Sequence, residues 1–316
     1  MKRATLLAIA SLIAVVTVAG CAGVTTIQPK ETTTTYHTQR VGEVDVFYRA
    51  AGSPENPVVL LLHGFPTSSH QYRNLIPQLA KEYRVIAPDI PGFGSTVTPP
   101  RGSYDYTFDN LAATIDGFTE ALQLDKFAVY LFDYGAPVGF RIASAHPERI
   151  SAIITQNGNA YEAGLTPAWA PIQAYWKDDS AENREALRGL LSRQTTEWQY
   201  HEGTPEELKV RISPDVIAHD QAILDRDHEI QLDLFGSYKT NVTAYPVWQE
   251  YLRTNQPPLL AIWGKNDPFF GPAGAEAFKQ DVPKARVELL DAGHFPLETH
   301  GEVIAQRVLE FLSTVN

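Results

Sequence analysis

From Val41 to the C-terminus, short runs of aliphatic and β-branched residues alternate with segments whose apolar positions recur every three or four residues. VVLLLH (58 to 63), RVIAPD (84 to 89), KFAVYLF (126 to 132), RISAIIT (149 to 155), LLAIWG (259 to 264) and ARVELLD (285 to 291) are nearly unbroken in apolar character. Strands of that kind are buried on both faces, which calls for a mostly parallel sheet with helices on either side. YRNLIPQLAKEY, FDNLAATIDGFTEALQ and APVGFRIASAHPE, lying between those runs, have the spacing of amphipathic helices. A chain of 316 residues, 44% of them hydrophobic, is long enough to close a large core around such a sheet.

Two parts of the chain depart from this pattern. Residues from about 159 to 257 are rich in Trp, Tyr and charge and contain helical stretches such as ENREALRGLLSRQ, so they read as a helical cap set over the ends of the strands, where open parallel sheets form their binding crevices. The N-terminus places Lys2 and Arg3 ahead of an apolar run from Ala4 to Gly20, the layout of a secretory signal peptide over residues 1–20. Val18, Ala19, Gly20 and Cys21 resemble a bacterial lipobox; that resemblance implies cleavage and lipidation at Cys21, and an exported lipoprotein anchored in a membrane through its N-terminal lipid and facing the periplasm or exterior. The Thr-rich stretch 21–36 then reads as a flexible tether and 37–316 as the folded domain. Cys21 is the only cysteine, so an internal disulfide is excluded. A net charge of −11 with no basic stripe argues against a nucleic-acid partner and for a small, neutral, partly apolar substrate.

The chemistry centres on VYLFDYGAPVGF (129 to 140), a strand followed by a sharp turn and a helix, with Asp133 at the turn. Gly135 meets the small-residue requirement of a nucleophile elbow two positions downstream, whereas Leu131 breaks it two positions upstream. HGFP (63 to 66) follows another strand, where an oxyanion-hole amide is supplied; Phe65 and Tyr134 N–H groups form the natural pair of donors, and Pro66 is a candidate for a cis peptide. Asp267 and His294 each follow a later strand, so the chain order is Asp133, Asp267, His294. One such match is weak, because Asp in a turn is commonplace. Four in order between the right elements are far more specific.

On these residues the chain resembles the α/β-hydrolase superfamily from about Val41 onward, and the aspartate at the elbow, with PGFG (91 to 94), resembles the epoxide hydrolase and haloalkane dehalogenase branch. The resemblance implies an α/β-hydrolase fold with a helical cap, Asp133 as nucleophile, His294 as base, Asp267 as its orienting acid, and Phe65 and Tyr134 as oxyanion donors. Phe132 departs from the polar neighbour usual in relatives and leaves Asp133 in a drier setting. A carboxylate attacks an sp³ carbon without losing a proton first, so the expected intermediate is an alkyl ester of Asp133.

The leaving group separates the readings that remain open. Epoxide hydrolysis needs acids, for which Tyr175 and Tyr238 are the cap candidates; dehalogenation of haloalkanes or haloacids needs N–H donors, which Trp169 and Trp176 offer. For each of these aromatics taken singly, ordinary packing is the commoner role. A carboxylesterase using Ser95 or Ser144 and a non-catalytic binding protein are lesser alternatives, neither serine lying at an elbow. The remaining histidines have no metal-ligand spacing, so no metal or other cofactor is expected.

Overall fold

The computed structural model describes residues 32–315, so the expected signal peptide, Cys21 and most of the tether lie outside the described residues. Eight strands form one sheet: β1 (Thr35–Val41), β2 (Val44–Ala51), β3 (Val58–Leu62), β4 (Arg84–Pro88), β5 (Phe127–Phe132), β6 (Ile150–Gln156), β7 (Leu259–Gly264) and β8 (Arg286–Leu290). Their order is β1-β2-β4-β3-β5-β6-β7-β8. Only β2 runs against its neighbours; every other pairing is parallel. The tether expected to reach residue 36 ends earlier, since Thr35 and Tyr36 pair with Ala50 and Arg49 in the β1–β2 ladder. Their β-branched and aromatic side chains suit a strand once a partner is in place.

Outside the cap, α1 (Ile76–Leu79), α2 (Phe108–Ala121) and α3 (Gly135–Ala145) come first in the chain. Between β6 and β7 lie α4 (Ala170–Lys177), α5 (Ala181–Ala186), α6 (Arg193–His201), α7 (Pro214–Leu224), α8 (His228–Ser237) and α9 (Lys239–Asn255), followed after β7 by α10 (Pro272–Asp281) and finally by α11 (Pro296–Leu312). The helix expected over YRNLIPQLAKEY is reduced to the single turn of α1 behind a 3₁₀ turn at Ser69–Tyr72. Pro77 has no N–H to bond back towards Arg73, which stops the helix from extending N-terminally.

Alternation along the central strands builds two cores. Leu60 and Leu62 of β3, with Val129 and Leu131 of β5, face the layer of α2, α3 and α10. Val59 and Leu61, with Ala128 and Tyr130, face the layer of α1 and α11. All six residues of β5 are buried. At about 1.5–3 kcal/mol for each large apolar side chain removed from water, this strand is a firmly held support for a reacting group.

Candidate active site

Asp133 follows the last residue of β5 and precedes α3, with φ of 45°, a left-handed conformation that costs a non-glycine residue. The strain lifts its carboxylate above the sheet edge at the positive end of α3. Gly135 is required there because a Cβ would stand 2.1 Å from the Leu62 carbonyl oxygen. The apparent misfit of Leu131 is absorbed by Gly139, one turn into α3, where a Cβ would stand 2.2 Å from Leu131 Cδ2. Helix and strand keep their close approach by moving the missing side chain from strand to helix.

Gly64 lets the HGFP loop lie on the carboxylate, since a Cβ at that position would come within 2.3 Å of Asp133 Oδ1. The next amide, Phe65 N–H, donates to Asp133 Oδ1 at 2.6 Å, and Tyr134 N–H also bonds the carboxylate. The Phe65–Pro66 peptide is cis. His63 is buried beneath the loop: its Nε2 accepts from Ile90 N–H at 2.8 Å, which leaves the proton on Nδ1, 3.0 Å from the Gly64 carbonyl. Burial pushes its pKa down, so it is a neutral strut. The PGFG segment has a similar supporting role, with Asp89 accepting from Ser69 and Ser95 N–H at 2.8 and 2.7 Å while Gly94 leaves room for its carboxylate.

Asp267 and His294 meet Asp133 from the ends of β7 and β8. His294 Nδ1 donates to Asp267 Oδ2 at 2.7 Å, so Nε2 is the free lone pair, 4.0 Å from Asp133 Oδ2. That gap exceeds a hydrogen bond and leaves a place for a reacting atom between the two groups. Asp267 is itself fixed by Phe269 N–H on Oδ1 at 2.7 Å and by Asn157 Nδ2 on Oδ2 at 2.7 Å. Phe132 packs against the His294 ring, centroids 4.9 Å apart, and completes a dry wall. Burial pushes the Asp133 carboxyl up to about 6, against the opposing pull of His294 and of the Phe65 and Tyr134 amides. The His294 pKa is raised: burial works against its charged form, but Asp267 and then Asp133 outweigh it.

A cavity of about 30 Å³ sits over the carboxylate, lined by Asp133, His294, Phe65 and Tyr134 below and by cap residues Trp169, Ile172, Leu190, Gln199 and Phe235 above, with Phe269 beside them. That volume is on the order of one water molecule. Neither candidate tyrosine lines it. Tyr175 lies in an open groove of about 620 Å³ with Arg101 and Asp233, and its hydroxyl is 3.4 Å from Arg184 Nη1. Tyr238 packs against Tyr134 with ring centroids 5.7 Å apart and planes tilted by 43°; its hydroxyl bonds Tyr245, and burial raises its pKa, with the Asp133 charge adding to the effect. The indole groups are engaged as well: Trp169 Nε1 donates to the Phe269 carbonyl at 3.0 Å and Trp176 Nε1 to the Phe235 carbonyl at 2.8 Å. Ser95 belongs to the Asp89 loop, and Ser144 lies on α3 by a separate groove with Arg141 and Trp248, so neither serine meets His294.

Three contributors escape a reading of the sequence. Asn157, at φ 48° after β6, steadies Asp267 from 110 residues away. The Tyr134 hydroxyl is buried with no hydrogen-bond partner among the described residues, so this residue offers a side chain as well as an amide. Gln199 enters from α6, with nothing around it in sequence to mark its inward direction; only its place with Thr196 and Tyr200 on one helical face hints at burial.

A family profile described as alpha/beta hydrolase fold matches residues 57–301. An uncharacterized hydrolase of Saccharomyces cerevisiae is 45% identical over 276 residues, covering 85% of this chain and 94% of the yeast protein. Haloalkane dehalogenase 1 of Mycobacterium tuberculosis is 30% identical over 269 residues, covering 81% and 83%. Among solved structures, a laboratory-evolved potato epoxide hydrolase superposes with a TM-score of 0.72 over 89% of this chain and 100% of its own, at 19% identity, a likeness of fold.

Proposed function

The chain belongs to the α/β-hydrolase family and is a hydrolase of that fold, and from this premise we propose that it opens small, neutral epoxides to diols through an alkyl ester of Asp133. The observation that carries the reading is the division of the Asp133 carboxylate: Oδ1 is tied to Phe65 N–H at 2.6 Å while Oδ2 faces His294 across 4.0 Å. One oxygen is anchored and the other is left to attack.

In the first step Asp133 Oδ2 bonds a ring carbon, the carbon–oxygen bond of the epoxide breaks, and its electron pair moves to the ring oxygen. The Tyr134 hydroxyl supplies the proton. Burial raises its pKa well above the ordinary value, so the phenol is intact at any working pH and loses its proton only to the strongly basic alkoxide. In the second step His294 Nε2 takes a proton from water, the water oxygen bonds Cγ of Asp133, and the Phe65 and Tyr134 amides hold the oxyanion. Collapse breaks the ester and releases the diol, His294 protonates the departing oxygen, and the carboxyl proton returns to Tyr134. One water is consumed and the protein is restored.

Dehalogenation is the second reading, favoured by the 30% identity to haloalkane dehalogenase 1 of Mycobacterium tuberculosis. The epoxide reading is preferred because both candidate indoles, Trp169 and Trp176, already donate to backbone carbonyls, at 3.0 and 2.8 Å, while the phenol of Tyr134 stands unpaired next to Asp133 in the chain. His294→Gln separates the two. It stops the second step, so incubation with 1,2-epoxybutane is expected to add the whole epoxide mass to Asp133. An adduct from 1-bromobutane with none from any epoxide decides for dehalogenation; no adduct from either removes the alkyl-aspartate route.

A further inference from the structure

Resting on the alkyl-aspartate reading and carrying it to the opposite wall, we propose that the carboxamide of Gln199 is the cap-side donor that hydrogen-bonds the departing oxygen as it becomes charged. Displacement at an sp³ carbon is in line: the attacking and departing atoms stand on opposite sides of the carbon. With Asp133 attacking from the floor of the cavity, the departing atom comes to rest against the cap wall. That wall consists of Trp169, Ile172, Leu190, Gln199 and Phe235, and the one indole N–H in it already donates to the Phe269 carbonyl at 3.0 Å. Gln199 alone in this wall has an N–H to give.

Its state in the fold supports the assignment. Gln199 is 2% exposed, yet its side chain makes no hydrogen bond to any described residue. Gln221, a buried glutamine on the neighbouring α7, is by contrast fully engaged, donating to the Leu191 carbonyl and Asp225 and accepting from Thr196. Its amide is not among the side-chain atoms sealed away without a partner, so it keeps access to the cavity it lines, where the carboxylate and the histidine stand. The helix behind it is also held on both sides. Ser192 caps α6 by accepting from Thr195 N–H, Thr196 Oγ1 donates to Gln221 at 2.8 Å, and Tyr200 stacks on Phe295 with centroids 4.0 Å apart, next to His294. The donor is therefore positioned before charge develops, the condition under which a donor accelerates a reaction.

A carboxamide does not surrender its proton, so Gln199 stabilises the alkoxide by bonding it, and the proton comes from Tyr134, whose ring rises from the elbow to pack against the cap residue Tyr238, centroids 5.7 Å apart. Once the ester has formed that oxygen is a neutral hydroxyl, and Gln199 has little left to do. The two chemical steps consequently separate its role from a structural one. In the His294→Gln background, rapid-quench mass measurement with 1,2-epoxybutane is expected to show alkylation slowed by about 10²-fold or more in Gln199→Met, which keeps the side-chain length but removes the N–H. Gln199→His, which keeps a ring N–H, should stay within about tenfold of the parent. With His294 intact, hydrolysis of the preformed ester should be unaffected by Gln199→Met. Gln199→Leu takes its place if the Met variant does not fold, as judged by its thermal unfolding. Alkylation by both donor-less variants at the parent rate, or equal slowing of both steps, overturns the assignment and leaves the nucleophile reading standing. Absence of any adduct in the His294→Gln parent brings down both.

Discussion

Replacing Asp133 by Asn is expected to stabilise the fold while abolishing turnover. The carboxyl pKa rises from 3.8 in a free side chain to about 6 here, chiefly because burial disfavours its charge. Below the lower value both folded and unfolded chains carry the proton, and burial costs nothing. As pH rises towards 6 the unfolded chain ionises first, and above that point the folded state holds a charge it would rather not have. Roughly two pH units at 1.36 kcal/mol each make this penalty about 3 kcal/mol at neutral pH. Asn has nearly the same shape, its Oδ1 still accepts from Phe65 N–H, and the charge is gone. Urea unfolding should therefore show Asp133→Asn more stable by roughly 3 kcal/mol near pH 8, with the gain shrinking below about pH 6 and vanishing near pH 4. His294 modifies the acid side. Its raised pKa lends stability that is present below about 6.5 and lost as pH rises through the folded value; part of that comes from Asp133, so the Asn variant forfeits it where His294 is protonated. A gain of equal size at every pH, or a loss near pH 8, would refute the reasoning, because it would mean that the amides and His294 outweigh burial.

The same balance sets the rate. Alkylation in single turnovers is expected to rise about tenfold per pH unit on the acid side and level above about 6 in the parent, and in His294→Gln the limb should move to higher pH because the charge that lowers the Asp133 pKa is lost; a limb that stays in place or moves down contradicts the coupling. Gly139→Ala drives a Cβ into Leu131 and should cost about 1–3 kcal/mol in thermal or urea unfolding, with much of the loss recovered when Leu131→Ala is added in the same chain. Additive costs in that double-mutant cycle would show that the two residues do not share one notch.

Much of the scaffold was legible because its signals are local. The six apolar runs all became strands, with LLAIWG matching Leu259–Gly264 end to end, since a buried parallel strand needs nothing but continuous apolar character; ARVELLD, expected to be buried on both faces, forms the edge strand β8 instead and has no fully buried residue, because it has a neighbour on one side only. Asp133, Asp267 and His294 were identifiable because each sits just beyond such a strand, and strand ends fix where a loop residue projects. Direction within the cap was not legible. Tyr175 and Tyr238 stand out by placement along the chain, but whether a helical aromatic turns inward depends on neighbours that sequence does not display: the Tyr175 hydroxyl accepts from Arg184, and the Tyr238 hydroxyl bonds Tyr245. The exchange between Leu131 and Gly139 was hidden for a related reason. The elbow requires a small residue where strand and helix touch, and either partner can provide it, so a motif written on the strand alone records a misfit that the packed pair does not have.

Phe132 and the closed cap then make one argument about reactivity. A carboxylate stripped of water and packed near Phe132 and the His294 ring has its basicity raised to about 6, which makes it the stronger nucleophile, and yet it is still ionised at neutral pH. Further drying would carry the pKa past neutrality and silence it, so the Phe65 and Tyr134 amides and His294 are needed to hold it below that limit. The apolar side chains over the carboxylate, Trp169, Ile172, Leu190, Phe235 and Phe269, preserve that dryness. The contacts that hold this lining in place, Trp169 on the Phe269 carbonyl and Tyr200 stacked on Phe295, lie beside the loops that carry Asp267 and His294. Closure of the cap and positioning of His294 thus draw on the same contacts, and loosening the cap should wet Asp133 and bring its pKa back towards the ordinary carboxylate value at the same time.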